Sequence, residues 1–580
     1  MNIFKRNKIL INLGIVSLFS IFAYLMILPL YTTGKVAVLS DFYFHAARVE
    51  EIFNNLKHGE MFTFIATLTF QHTGVGSFLF YPTLFLYPWA ILRFFFNPIN
   101  SFYMWYWLIT VLTFVISYYC MFKFSKNRLQ SLIFSFLYVL MPYHLYLGTS
   151  VFGEFIASMF LPIIFLGAYY IFYGDYRKWY FLSIGMALLG YSHILSVFMT
   201  CEVLVIIFII LLFIKKISIK RIGYILISAI VTLLMVLPVI YPFITDFIGK
   251  NISSALPGIS PPLLMTGSRI FEASISNEVT NCSIGVILLV TLFFGYVKEK
   301  PYRFIYYLGI LCVVISTNLI PWMAVSDTFL GMVQLPFRYL MYAGLFLATV
   351  CCYKILMYMQ RNTNLNQKNV YHRIQITLII FGGSFIFYYG ANSDIIDRVK
   401  VDNSEQYLQP ANSSDSVQVV PNIVQLDKNN YRNQFGYAVL YGETDYYPKV
   451  AIDNEKYKND IINNIAVINK KEIKITPISQ PNQLVYDINV AQKSNVDLPV
   501  IAYTNTKVNI DGKNKEFTIS DRGTVNVKLS RGEHTITVGY EPPKTFYRLI
   551  VFSIFVIIGL CVFIINNKIN SKRMVKIISK

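Results

Sequence analysis

WYFLSIGMALLGYSHILSVFMTCEVLVIIFIILLFI, residues Trp179–Ile214, is a 36-residue run dominated by apolar side chains. A helix crosses a bilayer in roughly 20 residues, so this run is too long for one crossing. Short basic clusters bound it on both sides, Asp175–Lys178 before it and Lys215–Arg221 after it. Basic loops mark the cytoplasmic side of a membrane protein. Both ends of the run therefore sit inside, and the chain must turn back on the outer side near Tyr191–Ser196. His193 is placed at that outer turn.

The same rule extends in both directions. The chain has 580 residues, of which 55% are hydrophobic and 14% charged. A soluble protein carries about a quarter charged residues, so a soluble enzyme is excluded. The net charge of +19 gathers in short clusters: Lys5–Lys8, Lys123–Arg128, Lys298–Arg303, Arg361–Arg373 and Lys568–Lys580, besides the two above. That spacing is a topology signal and argues against a nucleic-acid footprint. Further spans are read at Ile9–Leu30, Ser101–Phe122, Leu129–Leu147, Phe155–Tyr173, Ile222–Ile244, Ile284–Val297, Phe304–Pro321, Phe337–Tyr358, Ile374–Gly390 and Phe546–Ile565. With the hairpin, about 12 spans result, and both termini lie in the cytoplasm. The first span reads as an uncleaved anchor, since no small-x-small cleavage site follows it.

Ser77–Phe96 is apolar enough to span, but a crossing there would invert every later basic loop. Tyr81-Pro82 and Tyr87-Pro88 also interrupt its helix pattern, because proline lacks an amide donor and disfavours a helical residue before it. It is predicted to re-enter or to lie in the outer interface. The alternative is a thirteenth span with a broken charge rule. Asn392–Lys544 is polar and alternates as strands do at Lys471–Pro477, Leu484–Val490, Lys507–Ile510 and Thr535–Tyr540, with a hairpin signal at Asp511-Gly512. It is read as an extracytoplasmic β-sandwich without cysteine, hence without disulfides; all seven cysteines lie in or beside apolar runs, and none has metal-ligand spacing. The expected organisation is a helical membrane module over 1–390, the β-rich domain over 391–544, and a final span with a basic tail over 545–580.

Several ionisable residues fall on the outer side. On a helix over Asp41–Lys57, Asp41, His45 and Arg48 lie within roughly 60° of one another beside an apolar stripe of Phe42, Val49, Phe53 and Leu56. An amphipathic helix on the outer surface with an acid, an imidazole and a cation on one edge is a site candidate; equally, Ser40 or Asp41 caps the helix and Arg48 meets a lipid phosphate. Glu154 sits at an outer helix mouth, as a site acid or as a dipole-favoured first-turn residue. His193 is a candidate ligand or a hydrogen-bonded turn residue. Arg338 opens a span on the outer side, against both the inside bias and the helix dipole; it is a phosphate clamp or a snorkelling headgroup contact. Arg269, in Thr266-Gly267-Ser268-Arg269, is a second candidate of that kind. Convergence of these helix mouths would make a site.

An outer loop with Asp41-Phe42-Tyr43-Phe44-His45-Ala46-Ala47-Arg48 after one span resembles the GT-C superfamily of membrane glycosyltransferases. The chain looks closer still to bacterial YfhO-type membrane proteins and to the membrane family labelled "6-pyruvoyl-tetrahydropterin synthase-related". Phe80-Tyr81-Pro82-Thr83-Leu84, Met141-Pro142-Tyr143-His144, Gly153-Glu154-Phe155, Ser192-His193 and Gln334-Leu335-Pro336-Phe337-Arg338 extend the match over most of the first 390 residues. Thr83 stands where a second proline is expected. The label does not imply pterin chemistry, since no metal-binding histidine cluster is visible. The resemblance implies Asp41, His45 and Glu154 as catalytic residues. It implies Arg48, Tyr81, His193 and Arg338 as substrate-binding residues, to which Arg269 is added from its position alone.

The reaction implied moves a sugar from a polyprenyl phosphate to a cell-envelope glycopolymer or lipid acceptor, on the outer face of a bacterial cell membrane. A divalent cation between Asp41 and Glu154 is compatible with that chemistry and not required by it, because the leaving phosphate is already a stable anion. The alternatives are a transporter or flippase of lipid-linked saccharides and a non-catalytic envelope scaffold. Against the transporter stands the outer position of the ionisable residues, since transporter sites lie near the midplane.

Overall fold

The computed structural model describes residues 3–37, 40–214, 217–253, 258–361, isolated positions between 382 and 400, then 407–412, 416–421 and 424–578. Among the described residues, six helices are long and apolar enough to cross a membrane: Ile9–Tyr31, Pro98–Ser125, Ile194–Ile214, Ile219–Phe247, Pro336–Met359 and Lys544–Asn570. Two bent pairs, Arg128–Val139 with Pro142–Ser150 and Phe152–Ser158 with Leu161–Phe172, raise the number to eight if each pair is one span. Pro142 at the first bend and Pro162 just past the second explain the breaks, since a proline is tolerated only in the first turn of a helix.

The remaining expected spans are shorter than a bilayer requires. Tyr180–Gly190 has 11 residues, Val286–Thr291 has 6 and Lys300–Ile315 has 16. At 1.5 Å per residue the first of these rises about 16 Å, roughly half of the hydrocarbon thickness. The expected span Ile374–Gly390 lies outside the described residues. The turn predicted near Tyr191–Ser196 is present at residues 191–193. Along Ile219–Phe247 and Lys544–Asn570 large apolar side chains face outward, among them Ile230, Leu233, Phe552 and Phe555. Apolar belts of that extent are not stable in water and match a bilayer.

Ser77–Phe96 forms no membrane-length helix. It breaks into Ser77–Phe80, Leu84–Leu86 and Tyr87–Leu92, and Ser77, Phe80, Leu86, Trp89 and Ala90 are buried against the module. Two proline-imposed breaks thus turn an apolar run into a wall packed on the helix after the first span, α2 (Phe42–Lys57).

The C-terminal β-rich region contains two five-stranded antiparallel sheets. After the pair β1 (Lys35–Ala37) and β2 (Gln425–Asp427), the strands are β3 (Ile465–Ile468), β4 (Lys471–Lys474), β5 (Ile478–Gln480), β6 (Gln483–Val490), β7 (Ser494–Ile501), β8 (Thr506–Ile510), β9 (Lys513–Lys515), β10 (Thr518–Ile519), β11 (Thr524–Leu529) and β12 (Gly532–Tyr540). One sheet runs β10-β11-β7-β3-β4 and the other β5-β6-β12-β8-β9. Their inward positions share one core, with Leu484, Tyr486, Val508 and Ile536 from one sheet against Val496, Leu498, Val525 and Val527 from the other. Alternation at period two therefore closes a sandwich, as the strand pattern predicts. Asp511 and Gly512, at φ 52° and 78°, make the two-residue turn between β8 and β9.

Residues 424–463 behave differently from the sandwich. Leu426, Tyr431, Tyr437, Tyr447 and Ile461 join the core of the helical module. β2 pairs with β1 in the first outer loop. The sandwich also sits on that loop. Asn482 accepts from the Phe64 amide at 2.7 Å, Thr67 Oγ1 donates to the Gln480 carbonyl at 2.8 Å, the Ile501 amide donates to Thr73 at 3.0 Å, and Tyr503 Oη accepts from Gly76 at 2.8 Å. The loop is held in turn by Glu51, whose buried Oε1 accepts the amides of Thr67, Leu68 and Thr69 at 2.9, 2.6 and 2.6 Å. Phe70, Gln71 and His72 are all left-handed, at φ 50°, 54° and 57°. Such residues cost of order 1–3 kcal/mol each unless their surroundings over-determine them, as these contacts do.

A single cysteine at Lys126 should label only from the cytoplasmic side of intact cells, and one at Asn251 only from outside. Outward labelling at position 126 would mean that the charge-based topology is inverted.

Candidate functional site

Why Arg48 is buried follows from the broken segment. Its guanidinium is 0% exposed, and Nη2 donates to the carbonyls of Tyr81 and Pro82 at 2.6 and 3.2 Å. Those carbonyls are free to accept because the helix stops there. The rings of Tyr81, Phe44 and Phe78 surround the cation at 4.7, 5.3 and 5.4 Å. No carboxylate pairs with it among the described residues, and Nε and Nη1 have no partner. Burial lowers its pKa to about 10. A buried cation without a counter-ion carries a penalty of several kcal/mol, which rings and carbonyls offset only in part.

One helical turn earlier, His45 is 1% exposed, and its ring lies 5.5 Å from both Tyr81 and Phe152. Its Nδ1 has no partner. Burial first, then the charges of Arg48 and His193, hold its pKa well below the usual range, so the ring is neutral. Asp41 stands at the N-terminus of α2, half-buried, and makes no capping bond. It accepts instead from Ser40 Oγ at 3.1 Å, and its backbone amide donates to Ser150. Burial raises its pKa to about 6, against the opposing pull of the Ser40 hydroxyl and Arg338.

Glu154 opens the helix Phe152–Ser158. Its Oε1 accepts from Tyr143 Oη at 3.0 Å, and its Oε2 lies 3.6 Å from Arg338 Nε. Arg338 donates also to the Val333 carbonyl and to Gln334 Oε1, at 3.3 and 3.2 Å. His193 Nδ1 meets Ser196 Oγ at 2.8 Å, and its ring lies 5.6 Å from that of Tyr81. Gly153 makes this approach possible: a Cβ there would fall 1.9 Å from Tyr81 Oη and 2.8 Å from His193.

Asp41, His45, Arg48, Tyr81, Glu154, His193 and Arg338 thus meet from separate segments, linked by direct contacts and by the field of Arg338 acting on Asp41. Arg269 does not join them. It is exposed on the helix Gly267–Ile275 and pairs with Glu278 at 2.7 Å. Arg338 supplies positive charge to both Asp41 and Glu154. Among the described residues no three His, Cys, Asp or Glu side chains are grouped to hold a metal.

Two contributors escape sequence reasoning. Tyr143 is the hydroxyl donor to Glu154. The segment Gly442-Glu443-Thr444-Asp445-Tyr446-Tyr447, far along the chain, packs against the residues beside the site. Gly442 packs so closely on Phe44 that a Cβ would come within 2.3 Å, and the Tyr446 ring lies 5.1 Å from that of Phe80, tilted by 41°. Burial, then the charge of Asp41, raises Asp445 to about 6. A dense run of acids and tyrosines in an otherwise Asn- and Lys-rich segment is the only sequence signal for it.

No protein-family model matches the chain, and no curated protein matches it. Among solved structures, ArnT from Cupriavidus metallidurans bound to undecaprenyl phosphate aligns with a TM-score of 0.45 and 12% identity, over 74% of this chain and 87% of that one. A likeness at that level carries no argument about this chain, and nothing in it bears on the YfhO-type assignment.

Arg338→Ala should weaken binding of a polyprenyl phosphate to the purified protein by roughly ten- to hundredfold, the equivalent of about 1.5–3 kcal/mol for a charge-assisted contact. Lys should restore only part. Unchanged affinity in a calorimetric titration would reduce Arg338 to a structural partner of Glu154.

Proposed function

We propose that the chain is a glycosyltransferase that moves a sugar from a polyprenyl-phosphate donor to a cell-envelope acceptor on the outer face of the membrane. The observation that supports this reading is the convergence of an acid, a neutral imidazole and two guanidiniums where several helix ends meet, in a module whose long helices turn large apolar side chains outward. The donor is lipid-borne, so its phosphate lies at headgroup level, where Arg338 and Arg48 would hold it.

The chemistry follows from those groups. The oxygen of an acceptor hydroxyl attacks the anomeric carbon while the bond from that carbon to the phosphate oxygen breaks. The electron pair of that bond leaves with the polyprenyl phosphate. The hydroxyl proton passes to the carboxylate of Asp41, which must be ionised to accept it. Arg338 and the unpartnered donors of Arg48 stabilise the charge gained by the leaving phosphate. Glu154 and Tyr143 hold Arg338 in place. Neutral His45 and Tyr81 line the wall against which the sugar would rest. The domain over 391–544 would hold the acceptor near the membrane, with the chain spanning a bacterial cell membrane and both termini cytoplasmic.

Asp41→Asn should abolish transfer while the protein remains folded and inserted, measured on reconstituted protein with a polyprenyl-phosphate sugar. Full activity in that variant would sink the base role. The pH profile offers an independent check. A base with a pKa near 6 is active above that value, so kcat/KM should fall tenfold per pH unit below about 6. A flat profile between pH 5 and 8, both values chosen about one unit or more from that pKa, would contradict the assignment.

A further inference from the structure

An apolar cavity of about 100 Å³ lies between the helices Pro98–Ser125, Leu161–Phe172, Lys300–Ile315 and Leu340–Arg361, and none of the site residues above lines it. Its inner wall is buried and includes Phe134, Leu166, Leu308 and Leu345. Phe124, Tyr173 and Phe304, also on its wall, are only half-buried, so the cavity opens toward them. That is the end of the bundle where Lys123 precedes Phe124 and Arg303 precedes Phe304. At about 10–15 Å³ for each group of the size of a water or a methylene, the space takes roughly seven to ten such groups. A cavity walled by carbon stays dry and accepts an apolar guest.

Lysines gather beside that mouth. Cys120, Leu166 and Tyr170 form one small core with Phe124 and Tyr169 packed against it, and all of these but Tyr170 also wall the cavity. Lys178 Nζ sits over the Tyr170 ring at 4.8 Å. Lys123, one turn after Cys120, places Nζ over the Tyr119 ring at 5.1 Å, and the ammonium of exposed Lys126 donates to the Lys123 carbonyl. Among the described residues none of the three pairs with a carboxylate. Asp175, the acid of the neighbouring loop, is held by Arg177 at 3.1 Å. Cations from two loops thus stand on the packing that walls an apolar cavity. A basic pocket between membrane helices fits a molecule with an anionic head and an apolar tail.

We propose that this is a binding site for an anionic phospholipid of the bilayer, with its phosphate at Lys123, Lys126 and Lys178 and one acyl chain in the cavity. The polyprenyl phosphate of the transferase reading is not its occupant. The bent helix pair Phe152–Ser158 and Leu161–Phe172 carries Glu154 in its first turn and reaches the cavity at its other end, where Tyr173 lies 19 residues after Glu154. At 1.5 Å per residue that separation is up to about 29 Å, close to the hydrocarbon thickness. A phosphate at the lysines and a phosphate at Arg338, the partner of Glu154, therefore belong to opposite leaflets. The proposal stands whether or not the chain is a transferase.

The test titrates the purified full chain in detergent with dioleoyl phosphatidylglycerol, dioleoyl phosphatidylcholine and undecaprenyl phosphate, and counts bound lipids by native mass spectrometry. Wild type should bind its first phosphatidylglycerol about tenfold more tightly than phosphatidylcholine. The triple variant Lys123→Gln, Lys126→Gln, Lys178→Gln should lose that advantage and keep its affinity for the other two lipids, which also shows that it is folded. Ala168→Leu, which fills the cavity from its wall, should weaken both phospholipids alike. In wild type, a phosphatidylglycerol with a diazirine at the end of one acyl chain should cross-link to the helices Leu161–Phe172 and Lys300–Ile315. The proposal is overturned if wild type binds phosphatidylcholine as tightly as phosphatidylglycerol, or if the triple variant keeps the preference. It is overturned equally if the triple variant loses undecaprenyl phosphate or all three lipids to the same extent, or if the cross-links fall only on the outward-facing apolar side chains of Lys544–Asn570.

Discussion

The structure depends on how one buried guanidinium is kept. Arg48 is fully enclosed without a carboxylate, and what replaces the counter-ion is a pair of carbonyls released where the apolar segment breaks at Pro82, together with three aromatic faces. That arrangement ties α2 to the broken segment. It places Asp41 and His45 on the edge that Arg48 defines. It leaves two nitrogens of the cation, Nε and Nη1, uncommitted, which is costly in a purely structural residue.

The second constraint is the coupling of the sandwich to the membrane module. Buried Asp246, at the C-terminal end of the membrane-length helix Ile219–Phe247, accepts from the Thr504 amide at 3.0 Å and from Tyr540 Oη at 3.2 Å. With the loop contacts organised by Glu51, these bonds fix the sandwich at the site's rim. The segment around Asp445 runs between the two and is pinned to both, by Ser253 on one side and Tyr503 on the other. A domain held this way is part of the site's wall rather than a tethered accessory.

Much of this was legible in the chain. The hairpin at His193 followed from two basic ends on one long run, and the refusal of Ser77–Phe96 to span followed from its prolines. Strand alternation and Asp511-Gly512 announced the sandwich. Parity alone put Asp41, Glu154, His193 and Arg338 on one face, but face is not distance: Arg269 shares the face and pairs with Glu278 instead. Helix length was less legible, because hydropathy does not reveal where a run bends, as at Pro142. Three left-handed residues at Phe70–His72 carry no glycine to signal them. Asp445 was invisible for a different reason. The rings its segment packs on, Phe44 and Phe80, come from the N-terminal part of the chain, and neither composition nor periodicity connects segments so far apart.

The account stands or falls on where a lipid phosphate sits. The most direct measurement is a cryo-electron microscopy map of the full chain in a lipid nanodisc with undecaprenyl phosphate. The account predicts phosphate density within hydrogen-bonding distance of Arg338 and of the unpartnered nitrogens of Arg48, with the Arg338–Glu154 pair loosened and Asp41 facing the vacant sugar position. Phosphate density remote from both arginines, with that ion pair intact, would contradict it.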